Sequence, residues 1–169
     1  KPTPAASARP KRLAAPVIPA GYGVRSVFNA RLAVPSHYLN HDPKDGYRLI
    51  FMKPPGQQDE QIIVCNREDM PEAPRGAAAR AEFWKERFLS NPGLRNTRVS
   101  IKTVTVNGRA AKMLTVNFEG DDGRIWHKME MYYSGPEGEW KIVSDFEMAS
   151  HSEKVNDSIF MNAIRTFRV

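Results

Sequence analysis

Residues 98–148, RVSIKTVTVNGRAAKMLTVNFEGDDGRIWHKMEMYYSGPEGEWKIVSDFEM, carry the strongest structural signal in the chain. Apolar residues recur in two segments, 98–106 and 109–118, which flank Asn107-Gly108. An Asn-Gly pair accepts the positive φ angles of a type I′ turn, and it is the strongest short-range indication of a β-hairpin. The two segments are therefore predicted to pair as antiparallel strands.

The second half of this stretch shows the same alternation. Segments 124–133 and 140–148 are separated by the turn-forming residues 134–139. Along them, Ile125, Met129, Met131, Tyr133, Trp140, Ile142, Phe146 and Met148 alternate with Trp126, Lys128, Glu130, Tyr132, Lys141, Asp145 and Glu147. A period of two predicts strands with one buried face. We therefore expect a four-stranded antiparallel meander.

Two helices are predicted around the meander. In 77–89 the apolar residues Ala77, Ala81, Trp84 and Phe88 recur at helical spacing, with Arg80, Glu82, Lys85 and Glu86 on the other faces. A second stripe near the end of the chain comprises Val155, Ile159, Ala163, Ile164 and Phe167. Ser150 and Glu153 have the spacing of a capping box before that stripe. The chain is thus predicted to be α+β, an antiparallel β-sheet meander sandwiched by helices.

The segments before the first helix are also predicted to be extended. We expect one strand within 24–34 that ends at Pro35, then turns through residue 46. Further strands are expected at 47–52 and 61–66, where apolar residues stand between Pro- and Gly-containing segments.

The first 20 residues form a basic, Ala/Pro-rich leader without period two or 3.6. We predict a disordered linker over residues 1–20 and a single α+β domain over 21–169. Net charge is +6 with a pI near 9.6, but four basic residues lie in the leader and the rest is nearly neutral. This distribution argues against a nucleic-acid partner and indicates membrane association, if any, through the N-terminal tail.

The order of these elements resembles the PsbP-like and DcrB-type domains. The resemblance covers about residues 24–169, and VNGRAAKMLTV (106–116) is its most telling stretch. The other matching stretches are LAVPSHY (32–38), QIIVCNRED (61–69), NTRVSIKTVTVNGRAAKMLTVNF (96–118), IWHKMEMYYS (125–134), EWKIVSDFEM (139–148) and IFMNAIRTFRV (159–169).

The resemblance implies a sheet between helices and a non-enzymatic accessory module that binds a protein partner. It also implies an extracytoplasmic location, in the periplasm or envelope, with a signal segment removed before Lys1. A lipoprotein form would need an attachment cysteine near the start, and the first 20 residues contain none. The alternative is a small ligand-binding or enzymatic domain with the cone-shaped fold of nuclear transport factors, because WKIVSDFEM (140–148) also resembles a late strand of that class.

No catalytic residue, metal ligand or cofactor is predicted. His37 and His41 would present two imidazoles on one helix face, but Pro35 and Pro43 bracket them and no third ligand follows. Asp145 and Glu147 share one strand face, which the alternation predicts to be solvated. Cys65 stands in an apolar run, which is typical of a buried thiol rather than a nucleophile.

A partner-binding surface is instead expected at aromatic and histidine residues. Large aromatic side chains supply much of the binding energy in protein interfaces. The candidate residues are His37, Tyr38, His41, Trp126 and Tyr132.

Overall fold

The computed structural model describes residues 13–54, 57–148 and 153–169. Its elements are β1 (Tyr22–Val27), β2 (Ala30–Pro35), β3 (Leu39–His41), β4 (Arg48–Lys53), β5 (Gln57–Cys65), α1 (Ala77–Ser90), β6 (Arg95–Val106), β7 (Arg109–Glu119), β8 (Ile125–Gly135), β9 (Gly138–Glu147) and α2 (Glu153–Thr166). Seven strands form one sheet in the order β3-β4-β5-β9-β8-β7-β6, and every neighbouring pair is antiparallel. Helix α1 packs on one face, while α2 and the separate β1–β2 hairpin cover the other. The predicted α+β sandwich is confirmed.

The predicted meander is formed by β6 to β9 in chain order. Asn107 and Gly108 have φ angles of 48° and 73°, so both central turn residues adopt the left-handed region as expected. Val106 pairs with Arg109 across this turn, Glu119 with Ile125 across the β7–β8 turn, and Gly135 with Gly138 across the β8–β9 turn. Each strand therefore presents alternate residues to opposite faces of the sheet.

The face of the sheet beneath α2, here called the α2 face, holds the larger apolar core. Met129, Met131, Tyr133, Trp140, Ile142 and Phe146 of the sheet meet Ile159, Phe160, Ala163, Ile164 and Phe167 of α2 and its end. Phe160 is fully buried, whereas Val155, which the helical stripe predicted to be buried, is 44% exposed. The predicted apolar stripe of α2 is therefore buried as expected, except in the first turn of the helix.

The region 24–34 is a hairpin, so the prediction of one strand there was wrong. Val27 pairs with Ala30 around the two-residue turn Phe28–Asn29. Phe28 takes a φ of 55° at a position where a turn usually has Gly, so composition did not mark the reversal. The short strand β3 was also missed, because three residues are too few to establish a period.

Other predictions concern smaller features. Cys65 is 5% exposed, and burial raises the pKa of its thiol to about 12. Residues 150–152 of the predicted capping box and the first 12 residues of the leader fall outside the described residues. No helix in the described ranges is long and apolar enough to cross a bilayer.

Candidate functional site

The face of the sheet on the α1 side, here called the α1 face, is only partly covered. Helix α1 packs on β6, β7 and β8, where Ala81 forms one buried cluster with Leu114, Val116 and Tyr132. No described helix covers the part formed by β5, β4 and β3. We call this part the open face and define it by Leu39, His41, Ile50, Met52, Gln61 and Ile63.

Strand register places the open-face residues in two cross-strand rows. Leu39 pairs with Met52 and Met52 with Gln61, while His41 pairs with Ile50 and Ile50 with Ile63. Directly paired residues in antiparallel strands share a face, so each row is a continuous strip of side chains. The rows continue onto β9 at Asp145 and Val143, and onto β8 at Lys128 and Glu130.

The apolar residues of the open face belong to neither core cluster. Leu39 is 51% exposed, and Ile50 and Ile63 are partly exposed. Their chain neighbours Phe51 and Ile62 point to the α2 face and are fully buried. Strands β4 and β5 are thus apolar on both faces, although only their side chains on the α2 face belong to a core cluster.

A charged cluster separates the open face from α1. It comprises five carboxylates (Glu68, Asp69, Glu130, Glu139 and Asp145) and three cations (Arg80, Lys128 and Lys141). The carboxylates outnumber the cations by two. Ionised, this cluster places excess negative charge along one side of the open face.

Lys141 lies at the centre of the cluster and is 5% exposed. Its Nζ is 3.7 Å from Glu68 Oε1, 3.7 Å from Asp69 Oδ1 and 3.9 Å from Glu130 Oε2. The same atom lies 3.7 Å from the ring centroid of Trp84, a distance suited to a cation–π contact. Burial raises the pKa of Glu68, and its hydrogen bond with Asp69 adds to this shift.

Lys128 continues the cluster towards the open face. Its Nζ lies 3.0 Å from Asp145 Oδ1 and 3.7 Å from Glu130 Oε1. Burial alone would lower the pKa of Lys128, but the two carboxylates reverse this effect and the net pKa is raised. Tyr132, whose hydroxyl donates to Glu130, has its pKa raised well above the ordinary value, mainly by burial and then by that carboxylate. At neutral pH both groups therefore keep their protons.

Arg80 fixes α1 to the sheet. Its side chain is fully buried, Nη2 donates to the carbonyl oxygen of Tyr133 at 2.6 Å, and Nε lies 3.1 Å from Glu139 Oε2. Glu139 Oε1 also accepts the N–H of Gly76, the N-cap residue of α1, at 2.7 Å. Burial lowers the pKa of Arg80, and Glu139 opposes this effect. The prediction that Arg80 occupies a polar helix face was wrong.

The charged side chains of this region form ion pairs with one another. Asp145 pairs with Lys128 and Glu147 pairs with Arg124, so the carboxylates that the sequence placed together each contact a cation. Within the described ranges, no group of three or more His, Cys, Asp or Glu could hold a metal ion. A cleft of about 510 Å³ lies between the loop before α1 and the β8–β9 turn, with Arg67, Arg75 and Pro136 in its lining.

Three of the five predicted partner-binding residues share the α1 face. His41 is exposed on the open face, whereas Tyr132 is fully buried beneath α1. Trp126 is partly exposed, with the guanidinium carbon of Arg124 5.0 Å from its ring centroid.

His37 and Tyr38 lie in the turn before β3 and do not join the other three. His37 is exposed, and its ring meets that of Tyr38 edge-on with centroids 5.1 Å apart. Tyr38 itself is 3% exposed and belongs to the core beneath α2. The structure therefore leaves His37, His41 and Trp126 accessible and buries the two tyrosines.

Sequence reasoning missed the apolar part of the open face. Ile50, Met52 and Ile63 were included in predicted strands but not identified as surface residues. Their signal is an unbroken apolar run in each strand, LIFM at 49–52 and IIV at 62–64. Such runs are typical of strands covered on both faces, which is why exposure was not expected.

Comparison with known proteins gives a structural likeness only. No protein-family model matches the sequence, and neither does any curated protein. The solution structure of cyanobacterial PsbP (CyanoP) from Synechocystis sp. PCC 6803 is similar with a TM-score of 0.58, over 89% of this chain and 93% of that chain, at 15% sequence identity. The likeness confirms the predicted PsbP-like fold.

Proposed function

We propose that this protein is a non-catalytic accessory module that binds a protein partner through the open face. The observation that carries the proposal is a row of partly exposed apolar side chains on a sheet face with no described helix over it. Burying an Ile or Leu side chain is worth about 1.5–3 kcal/mol, so covering this row would supply substantial binding free energy.

The charged cluster indicates the chemistry of the partner. Two of its five carboxylates, Glu130 and Asp145, lie on the same cross-strand rows as Ile63 and Gln61, together with Lys128. A complementary segment would therefore carry apolar side chains for the rows and Lys or Arg for the cluster side. The charged side chains of the cluster form ion pairs with one another and with Arg80 of α1. This arrangement supports a role in partner recognition rather than in catalysis.

We further propose that the module works outside the cytoplasm, in the periplasm or envelope, as the resemblance to PsbP-like domains suggests. Its support is the shared fold rather than any targeting signal in the chain. Fractionation of cells that express the full precursor tests this location. Recovery of the protein only with cytoplasmic markers would contradict it.

Site-specific photo-crosslinking tests the docking surface. A photoreactive amino acid at Leu39, at the outer end of a row, is expected to give one adduct of defined mass. The matched control is Ser100, an exposed residue of β6 on the α2 face, where no such adduct is expected. Equal adducts from both positions, or none from Leu39, would contradict the proposal.

The affinity for the partner so identified should depend on the open face. Ile63→Asp is expected to weaken binding by about 10- to 100-fold, because it removes apolar burial and adds charge next to the carboxylates. Thr105→Asp, at an exposed position of β6, should leave the affinity unchanged within about threefold. Binding that tolerates Ile63→Asp would assign the partner to another surface.

A further inference from the structure

Helix α2 and the β1–β2 hairpin form a layer on the α2 face of the sheet, opposite the open face. This layer combines arginines with exposed apolar residues. Within this layer, residues 21–35 and 158–169 contain four arginines and no acidic side chain, while Glu153 and Asp157 lie nearer the start of α2. Three of these arginines, Arg31, Arg165 and Arg168, lie where α2 ends against the β1–β2 hairpin. We call Val24, Phe28, Arg31, Arg165 and Arg168 the arginine–apolar surface.

Backbone contacts hold this surface together. Arg31 and Arg168 exchange two backbone hydrogen bonds of 2.8 and 2.9 Å, so the two arginines lie on adjacent segments. Arg168 Nη1 donates to the carbonyl oxygen of Arg165 at 3.1 Å. No ion pair between these three side chains and a carboxylate is found among the described residues. Glu137, a carboxylate at the neighbouring β8–β9 turn, is instead held by Asn107 and Tyr133.

Exposed apolar residues concentrate around the same arginines. Val24 is 50% exposed, Phe28 is 45% exposed and Leu13 is 48% exposed. One shallow groove of about 180 Å³ is lined by Val24, Ile18 and Arg31. A second groove of about 380 Å³ is lined by Phe28 and Arg31. The apolar and cationic side chains are thus interleaved rather than segregated.

The turn at Phe28 is a conformation that an apolar aromatic residue rarely adopts. A φ of 55° is costly for a bulky side chain, and Gly or Asn would relieve it. Phe28 is nevertheless half exposed, so core packing alone does not explain its presence. The turn holds an aromatic ring outward beside Arg31.

We propose that the arginine–apolar surface binds the surface of an anionic lipid bilayer. Arginines near a membrane are attracted by acidic headgroups, while Phe and aliphatic side chains enter the boundary with the acyl chains. Interleaved cations and apolar groups without a deep pocket suit this flat partner. The first 12 residues of the leader are not required for the proposal, which concerns described residues only and goes beyond the proposed function.

The position of the surface is compatible with simultaneous partner binding. The arginine–apolar surface is built on α2 and β1–β2, and the open face lies on the other side of the seven-stranded sheet. A bilayer on one side therefore leaves the open face accessible. Failure of either interaction does not entail failure of the other.

Vesicle co-sedimentation of the full chain tests the proposal. The probes are vesicles of phosphatidylcholine with roughly one third phosphatidylglycerol, compared with phosphatidylcholine alone. Arg31→Gln combined with Arg165→Gln is expected to lower the partition coefficient roughly 25-fold, since each arginine near the surface contributes about fivefold. The matched control, Lys85→Gln with Arg87→Gln on α1, removes the same charge from the opposite side and should change it less than about threefold.

A second variant separates binding from folding. Phe28→Asn suits the positive φ, so it should not lower the urea midpoint, yet it should weaken vesicle binding about tenfold. Deleting residues 1–12 should leave at least about a tenth of the partition coefficient. The proposal would be overturned by loss of all vesicle binding when residues 1–12 are deleted. It would also be overturned if the control pair lowered the partition coefficient as much as the Arg31/Arg165 pair, or if the chain bound an acidic protein but not the vesicles.

Discussion

The two faces of the central sheet are stabilised in different ways. On the α2 face, apolar side chains from the sheet, α2 and β1–β2 form one continuous core. On the α1 face, a small apolar cluster under α1 gives way to ion pairs and then to partly exposed Leu39, Ile50 and Ile63. The same strands supply both faces, so the difference lies in what covers them.

This comparison separates residues that maintain the fold from residues available for recognition. A fully buried apolar core tolerates little change, because every lost methylene group leaves a cavity. A partly exposed face has room to accept a partner at small cost to folding. Four measurements test how far this division holds.

Ile62→Ala and Ile63→Ala compare adjacent residues of β5 that point to opposite faces. Ile62 is fully buried, so its truncation is expected to lower the free energy of unfolding by about 3–4 kcal/mol. Ile63 is partly exposed, and its truncation should cost less than about 1 kcal/mol. Urea unfolding of both variants measures the contrast. Equal losses would show that the open face is covered in solution.

Arg80→Met tests the anchor of α1. Removing the guanidinium leaves Glu139 and the carbonyl oxygen of Tyr133 without this partner, and we expect a loss of about 3 kcal/mol. The double variant Arg80→Met/Glu139→Gln should recover part of that loss, which a double-mutant cycle would measure. A single variant as stable as the parent would show that α1 is held by its apolar contacts alone.

Alkaline unfolding compares two buried tyrosines, Tyr132 on the α1 face and Tyr38 on the α2 face. Burial is the main cause that raises the pKa of both hydroxyls. The folded chain therefore keeps protons that the unfolded chain releases, and stability falls as pH rises above about 10, by up to about 1.4 kcal/mol per pH unit for each group. Replacing either tyrosine by Phe should reduce this slope.

At neutral pH the same two replacements should differ. Tyr132 donates to Glu130, so Tyr132→Phe is expected to cost about 1–2 kcal/mol. The hydroxyl of Tyr38 has no hydrogen-bond partner among the described residues, and Tyr38→Phe should be nearly neutral. Denaturant titrations at pH near 7 and above 10 provide both comparisons, and identical behaviour of the two variants would contradict the assigned contacts.

Leu39→Ser should have the smallest effect on stability. Leu39 is 51% exposed at the sheet edge, and its replacement is expected to change the free energy of unfolding by no more than about 0.5 kcal/mol. Partner binding should nevertheless weaken measurably. A large loss of stability with unchanged binding would reverse the roles assigned to the open face.

The sequence predicted the meander and both helices because their periods extend over many residues. It failed at Phe28, which stands where a two-residue turn usually has Gly, and at β3, which is too short to show alternation. Arg80 precedes Trp84 by four positions and therefore shares the apolar stripe, a signal that its charge concealed.

The burial of Lys141 could not be inferred from its own strand. Alternation correctly placed it opposite Trp140 and Ile142, on the polar face. Its low exposure depends on Trp84 and Glu68, which are distant in sequence and approach only in the folded chain. The site thus depends on tertiary contacts that a period of two does not encode.

The carboxylate that caps α1 has a consequence for biosynthesis. Gly76 and Glu139 are separated by 63 positions, so a ribosome adding about 5–20 residues per second makes the cap roughly 3–13 seconds after the helix start. Throughout that interval the nascent helix lacks its capping carboxylate, and the strands on which it docks are still being made. Final attachment of α1 is therefore a late event of chain synthesis.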